Sequence, residues 1–232
     1  METSIEVFGG VALNSQVGGL NPHAADLAFK MGGRIVWFPT ISSKAHLCHS
    51  EQDESIRAHF VPRGVMESEE VDILGPDGDL VPEVRQILQI AKDADGNVSS
   101  GHMAPDRVIA MLELAHEMGL TKLVVSHPNY IIEADKNTDA QRMVELGAVI
   151  EHSIGMFLDD GRYFEFEELV DWINAVGPEH TSLGSDLGQV GNPLPMDAYV
   201  HICEKLLDSG FSERDLRTMV VTNPARLLGI EP

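Results

Sequence analysis

The stretch KLVVSHPN, residues 122–129, decides the interpretation of the fold, because it has the pattern of a short apolar strand that ends on a histidine. Leu123, Val124 and Val125 form the β-branched and apolar run, and Pro128 ends it. Parallel α/β folds hold their active sites at the ends of such strands. His127 is therefore a candidate functional residue. The alternative is that it belongs to a simple turn after the strand, and the rest of the sequence has to distinguish the two.

Five further strand-like runs surround this one, with helical patterns between them. The runs lie at 5–13, 34–40, 96–101, 147–152 and 180–185. Apolar residues repeating at i, i+3, i+4 and i+7 predict helices at 82–91, 105–118, 138–146 and 195–208. Strands that alternate with helices predict βα units and a parallel sheet, with every strand ending at the same edge.

Two architectures fit this alternation, an eight-stranded barrel and a doubly wound open sheet. No G-x-G-x-x-G follows the first strand, which disfavours the dinucleotide-binding open sheet. We predict an α/β fold of the (β/α)8 TIM-barrel type, incomplete, with about six βα units in one domain over residues 1–232. The polar, turn-rich segment 41–81 predicts a long loop over the active edge.

The composition narrows the class of partner. The 37 acidic residues against 16 Lys and Arg give a net charge of −21, which argues against nucleic acid and anionic membrane surfaces. No apolar run approaches the ~20 residues of a membrane span, and the first residues lack a signal-peptide pattern. Two cysteines are too few for a disulfide framework. We expect a cytoplasmic protein that acts on a small molecule.

Four strands end on a potential metal ligand: His102, His127, His152 and Asp186. The three histidines are spaced by 25 residues, near the length of one βα unit, so they are expected on neighbouring strands. Imidazole and carboxylate groups are ligands of Zn²⁺ and similar divalent ions. His102, His127 and Asp186 form the stronger set. Glu151 points to the opposite face from His152, and either one could face the site.

Other chemistries fit less well. GSDLG at 184–188 carries Asp186 where the serine-hydrolase elbow G-x-S-x-G needs serine. Cys48 lies between His46 and His49, but a Cys–His nucleophile lacks a strand–turn context there, and H-x-x-H is not the zincin H-E-x-x-H. His46 follows the strand at 34–40, so we expect it to contact substrate or to lie just outside the metal shell.

The motifs SGH (100–102), SHP (126–128), GSDLG (184–188) and TNPARLLGI (222–230) together resemble the amidohydrolase superfamily of metal-dependent hydrolases. VFGGVALNSQVGGLNP (7–22) and IVWFPT (35–40) further resemble an uncharacterised branch of it. The resemblance extends over essentially the whole chain.

This resemblance implies a (β/α)8 barrel with one divalent ion, Zn²⁺ before Mn²⁺ or Fe²⁺. It implies that His102 is the ligand of strand five, His127 that of strand six, and Asp186 the aspartate of strand eight. In that family the aspartate also handles the proton of the attacking water. The implied activity is hydrolysis of an amide, ester or lactone. A metal-dependent decarboxylase and a non-catalytic binding protein that has lost the metal stay open as alternatives.

The sequence departs from the family at its front. It contains no H-x-H, and counting back from Asp186 makes the run at 5–13 the third strand. The fourth strand, 34–40, has no Lys or Glu to bridge a second metal. Three explanations stand: a chain whose true start lies upstream, which we favour, an open form completed by a second subunit in a homo-oligomer, or a chain that has abandoned the metal.

Overall fold

The structure, a computed structural model, describes residues 6–52, 67–158 and 163–231. The chain divides into two compact units, Met1–Lys122 and Leu123–Pro232, and the boundary falls at the start of the strand LVVS. Each unit has an α/β architecture with parallel strands. The α/β class predicted from the sequence is confirmed, whereas the single domain over 1–232 stays a prediction.

The first unit contains three short strands in chain order, β1 (Gly10–Ala12), β2 (Ile35–Trp37) and β3 (Asn97–Ser99). Val11 pairs with Val36, and Val36 with Val98. The helices are α1 (Pro22–Lys30), α2 (Lys44–Gln52), α3 (Pro82–Asp93) and α4 (Pro105–Glu117). Helices α3 and α4 bury the faces that the apolar spacing predicts: Val84, Ile87, Leu88 and Ala91 on α3, and Val108, Met111, Leu112 and Ala115 on α4.

The second unit repeats the arrangement with β4 (Leu123–Ser126), β5 (Ala148–Ser153) and β6 (Thr181–Gly184), again parallel and in chain order. Its helices are α5 (Asp139–Glu145), α6 (Phe166–Val176), α7 (Pro195–Asp208), α8 (Glu213–Arg217) and α9 (Asn223–Leu228). The register sets Val124 opposite Val149 and Ser126 opposite Glu151. These four side chains therefore share one face of the strands.

Helix α9 packs on that shared face. Leu227 forms a buried cluster with Val124 and Val149. The Asn223 side chain donates hydrogen bonds to the carbonyl oxygens of Pro178, Glu179 and Thr181, the last at 2.7 Å. Helix α9 is thus fastened to the sheet by an apolar contact and by an amide that bonds three carbonyl groups.

All six predicted strands and all four predicted helices are confirmed, but three longer helices were not predicted. These are α1, α2 and α6. Part of the expected loop 41–81 is helix α2, which begins at Lys44, and another part forms an isolated bridge between Leu74 and Leu80. Residues 53–66 of that loop lie outside the described residues. Within the described ranges, no helix is long and apolar enough to cross a membrane.

Candidate functional site

A polar network follows β1 and β2 in the first unit. The buried Asn14 side chain accepts hydrogen bonds from the backbone N–H groups of Thr40 and Ser42 and donates one to the Thr40 hydroxyl, at 2.8 to 3.1 Å. Ser42 in turn accepts a hydrogen bond at its Oγ from the Ser15 N–H. The ends of two neighbouring strands are therefore joined by side chains, which fixes the start of the segment that carries His46.

Ser43 and Gly101 set the positions of the two histidines in this unit. The Ser43 hydroxyl donates to the carbonyl oxygen of His102 at 2.7 Å and accepts from the backbone N–H of His46 at 3.1 Å. Gly101 has a φ of +58°, and a Cβ there would lie 2.2 Å from the Phe38 carbonyl oxygen. Only glycine lets the chain after β3 lie this close to the chain after β2.

His46 and His102 meet directly. Their Nδ1 atoms are 2.9 Å apart, and the rings stack with centroids 5.1 Å apart. His46 is almost completely buried, with 2% of its surface exposed, and His102 is half-buried. At this separation one Nδ1 must carry a proton and donate it to the other, because two protonated or two bare nitrogens would repel. The sequence named both residues separately, and the structure brings them together.

The second unit places His127 just after β4, with a positive φ of 30° and 7% exposure. Its backbone N–H donates to the Glu151 carbonyl oxygen at 2.7 Å. Burial lowers the pKa of His127 below its ordinary value, although the negative charge of Asp186 opposes this shift. His127 is therefore held as a neutral imidazole, which is the form that ligates a metal.

Glu151 lies on β5 beside Ser126, whose hydroxyl donates to Glu151 Oε2 at 3.1 Å. A Cβ at position 184 would come within 2.3 Å of Glu151 Oε1, so Gly184 leaves the space that the carboxyl occupies. Burial raises the pKa of Glu151, the Ser126 hydrogen bond opposes this, and the charge of Asp186 raises it further. Glu151 is thus a carboxyl group that resists ionisation.

Asp186 follows β6 in a left-handed conformation, with φ 51°, and its side chain is exposed. Its charge acts on both His127 and Glu151. Two of the sequence-predicted residues, His127 and Asp186, and one that the sequence left undecided, Glu151, therefore lie together in the second unit. An imidazole and two carboxyl groups near the ends of three adjacent strands can move a proton.

His152 lies on the opposite face of β5 from Glu151. Its ring is fully buried and packs edge-on against Phe157 and against Trp172 of α6, with centroids 6.2 and 5.5 Å apart. Burial lowers the pKa of His152 to about 3, with a smaller contribution from the charge of His127. Of the two neighbours on β5, Glu151 is therefore the one whose side chain lies on the face toward Ser126 and Asp186. A role for His152 toward substrate stays a prediction.

Sequence reasoning missed Asn14 and Ser43. The signal for Asn14 was its place directly after a β-branched run, the same signal that singled out the histidines. Ser43 could be found as a helix cap three residues before His46, the first of a histidine pair at i and i+3. Among the described residues, no group of three or more His, Cys, Asp or Glu side chains is arranged to hold a metal ion.

Residues 1–151 match a family of unknown function, DUF6282. No curated protein matches the chain. An amidohydrolase from Pseudomonas aeruginosa is similar in structure, with a TM-score of 0.61 and 14% identity over 90% of this chain and 67% of that one.

A phosphotriesterase homology protein from Escherichia coli, solved with phosphate in its active site, has a TM-score of 0.53 and 13% identity over 95% of this chain and 96% of that one. A third structure comes from the engineering of organophosphate hydrolysis on a weak promiscuous lactonase template, with a TM-score of 0.50 and 15% identity over 84% and 72% of the two chains. These similarities confirm the predicted α/β fold of the TIM-barrel type.

Proposed function

This chain belongs to DUF6282, a family of unknown function, and from its own residues we propose that it is a metal-dependent hydrolase of a small-molecule amide, ester or lactone. The observation that carries the proposal is the grouping of His127, Glu151 and Asp186 on or just after three adjacent parallel strands, near their C-terminal ends. Active sites of parallel α/β folds lie at this edge. The fold shared with an amidohydrolase supports the same reading.

The chemical types of the donor groups in the chain suit a divalent ion. His127 is a neutral imidazole because it is buried, and Asp186 is an accessible carboxylate next to it. Imidazole and carboxylate are the ligand types that Zn²⁺ accepts, with Mn²⁺ or Fe²⁺ as alternatives. We assign His102, His127 and Asp186 as the ligands. A bound ion would polarise the scissile carbonyl and acidify water near it.

The remaining chemistry belongs to side chains of the protein. Asp186 takes the proton of the attacking water and later passes it to the leaving group. Glu151 resists ionisation, so its protonated carboxyl can donate a hydrogen bond. The exposure of Asp186 gives substrate access to the carboxylate. His46 and His152 are assigned contacts outside the ligand set.

The test is the variant Asp186→Asn against the matched control Asp197→Asn, an exposed aspartate on α7. Zinc-loaded protein is assayed on a panel of aryl esters, lactones, amides and one phosphotriester. We expect Asp186→Asn to lose turnover by at least ~100-fold, because it removes the base, whereas Asp197→Asn keeps it. Equal activity of Asp186→Asn and wild type would refute the role of Asp186.

The same samples separate the alternatives. Release of CO₂ from carboxylic acids without hydrolysis of the panel would identify a decarboxylase. Elemental analysis that finds less than about 0.1 ion per chain after exposure to zinc would identify a binding protein without a metal. Circular dichroism of each variant confirms that the fold is intact.

A further inference from the structure

Helix α7 of the second unit carries a second apolar face, which is open to solvent. Ten large apolar side chains are exposed in the described residues, and five of them lie close together in the sequence: Val190, Leu194, Met196, Val200 and Leu207. Met196 is 70% exposed, Val200 54% and Leu207 41%. Single exposed apolar residues are ordinary on a protein surface, whereas a group of them marks a surface for interaction.

The spacing along α7 places these side chains on one line. Met196, Val200, Cys203 and Leu207 follow one another at i, i+4, i+7 and i+11. At about 3.6 residues per turn, the four lie within about 60° of one another around the helix axis and extend over roughly 16 Å. Cys203 is half-buried, and the other three are exposed. We call these four residues the α7 stripe.

A different face of α7 joins the helix to the core of its unit. The buried residues of the helix are Ala198, Ile202 and Leu206. On the same side as the core, the Tyr199 hydroxyl donates a hydrogen bond to the Leu183 carbonyl oxygen at 2.8 Å. A surface helix of a globular protein needs one apolar face, the one that it turns to the core. Folding of the second unit therefore does not account for the α7 stripe.

Acidic side chains border the stripe on its solvent side. Glu204 and Asp208 are exposed there, one and two turns after Val200. Lys205 is the only Lys or Arg of the helix, and its Nζ lies over the Phe166 ring of α6, 4.4 Å from the ring centre. Of the ion pairs within the described ranges, none includes Glu204 or Asp208. The stripe thus presents apolar groups next to negative charge.

This combination of groups distinguishes between possible occupants. A second copy of the chain is disfavoured, because each copy has a net charge of −21 and would bring the same acidic border to the contact. An anionic membrane surface is disfavoured by the same repulsion. An amphipathic helix with Lys or Arg beside its apolar face complements both the apolar stripe and the acidic border.

We propose that the α7 stripe is the docking surface for a basic amphipathic helix of a partner protein. The partner lays apolar side chains on Met196, Val200 and Leu207, and it places Lys or Arg side chains against Glu204 and Asp208. A partner helix of about three turns, roughly 11 residues, covers the length of the stripe. This binding does not require the hydrolase activity.

The test uses a dye-labelled synthetic helical peptide of about 18 residues, with Leu at i, i+4, i+7 and i+11 and Lys at most other positions. One control peptide has the same composition in scrambled order, and a second has Glu in place of every Lys. Binding is followed by fluorescence anisotropy at physiological salt, which screens long-range attraction. Each variant has a matched control: Val200→Ser is compared with Leu27→Ser on α1, and Glu204→Lys with Glu167→Lys on α6, all at exposed positions. Circular dichroism checks that every variant is folded.

We expect the basic peptide to bind the wild-type protein with a micromolar Kd, and the two control peptides to bind at least ~10-fold more weakly. Val200→Ser and Glu204→Lys should each weaken binding by at least ~10-fold, because they remove an apolar contact at the centre of the stripe and reverse a charge at its border. Leu27→Ser and Glu167→Lys should bind within ~2-fold of wild type.

Four results would overturn the proposal. Wild-type protein that does not bind the basic peptide has no such docking surface. Equal losses for each variant and its matched control would show attraction to the overall negative charge. A dimer in sedimentation that Val200→Ser converts to a monomer would assign the stripe to a second copy. Binding to vesicles of phosphatidylcholine and phosphatidylserine that is lost in Val200→Ser would assign it to a membrane.

Discussion

Replacing Gly101 with alanine should destabilise the first unit and separate His46 from His102. Gly101 has φ +58°, and a Cβ there would lie 2.2 Å from the Phe38 carbonyl oxygen and 2.5 Å from that of Pro39. A left-handed conformation costs a non-glycine residue about 1–2 kcal/mol, and overfilling a packed site costs typically about 1–3 kcal/mol. We therefore expect a loss of about 2–5 kcal/mol in the free energy of unfolding.

Gly78→Ala is the matched control for this variant. Gly78 also has a left-handed φ, +86°, but no atom lies within 4 Å of the point that an alanine Cβ would occupy, so only the backbone cost of about 1–2 kcal/mol applies. The difference between the two variants measures the clash with the chain after β2.

Urea unfolding followed by tryptophan fluorescence measures both variants. The chain has two tryptophans, Trp37 in β2 and Trp172 in α6, so a Trp172→Phe background makes the signal report the first unit. Imidazole ¹⁵N spectra of Gly101→Ala should show loss of the hydrogen bond to His102. If Gly101→Ala were no less stable than Gly78→Ala and kept that hydrogen bond, the close approach at Gly101 would carry no energy and the reasoning would be refuted.

Three further changes test other parts of the structure. Gly184→Ala should displace the Glu151 carboxyl, because the new Cβ meets Oε1 at 2.3 Å, and should lower kcat/KM by up to ~100-fold in the substrate panel. His152 has a folded pKa of about 3 against an ordinary 6.5, so the unfolded chain binds its proton first and stability falls as the pH drops from 6.5 toward 3. His152→Leu should flatten that part of the pH–stability curve, measured by urea unfolding. Asn14→Ala should lower the free energy of unfolding by about 1–3 kcal/mol in the same assay, because it leaves the backbone N–H groups of Thr40 and Ser42 unpaired. The control Asn192→Ala should lower it by less than ~0.5 kcal/mol.

Each of these three predictions would be contradicted by one result. Unchanged kinetics of Gly184→Ala would mean that the place of Glu151 is irrelevant to turnover. Identical acid sensitivity of wild type and His152→Leu would mean that other groups set the pH dependence. Equal stability losses for the two asparagine variants would mean that the network around Asn14 adds nothing.

The strands were predictable because their signal is local. The strands β3, β4 and β5 are short runs that contain β-branched residues, and they are almost entirely buried, so composition and burial agree there. Helix α6 was equally readable, since Leu169, Trp172, Ile173 and Val176 fall at i, i+3, i+4 and i+7 and are all buried. By contrast, α1 buries only Ala25, so its apolar pattern is too weak to predict a helix from the sequence.

The candidate residues could be named from the sequence one by one, but their contacts could not. Strand ends identified His102, His127 and Asp186 as candidates, because parallel strands finish at one edge. The meeting of His46 with His102 depends on the path of a long connection, on the Ser43 hydroxyl and on the space at Gly101. The alternation of β5 showed that Glu151 and His152 point apart, and only the aromatic rings around His152 decided which one lies on which side.

The contact of Leu227 with Val124 and Val149 sets the order in which the second unit can fold. Leu227 follows Val124 by about 100 residues, and contacts of such long sequence separation form slowly, because a large loop must close first. During synthesis the strands β4 and β5 leave the ribosome well before α9 does. Their shared face stays open to water, and to other unfinished chains, until Leu227 arrives to cover it.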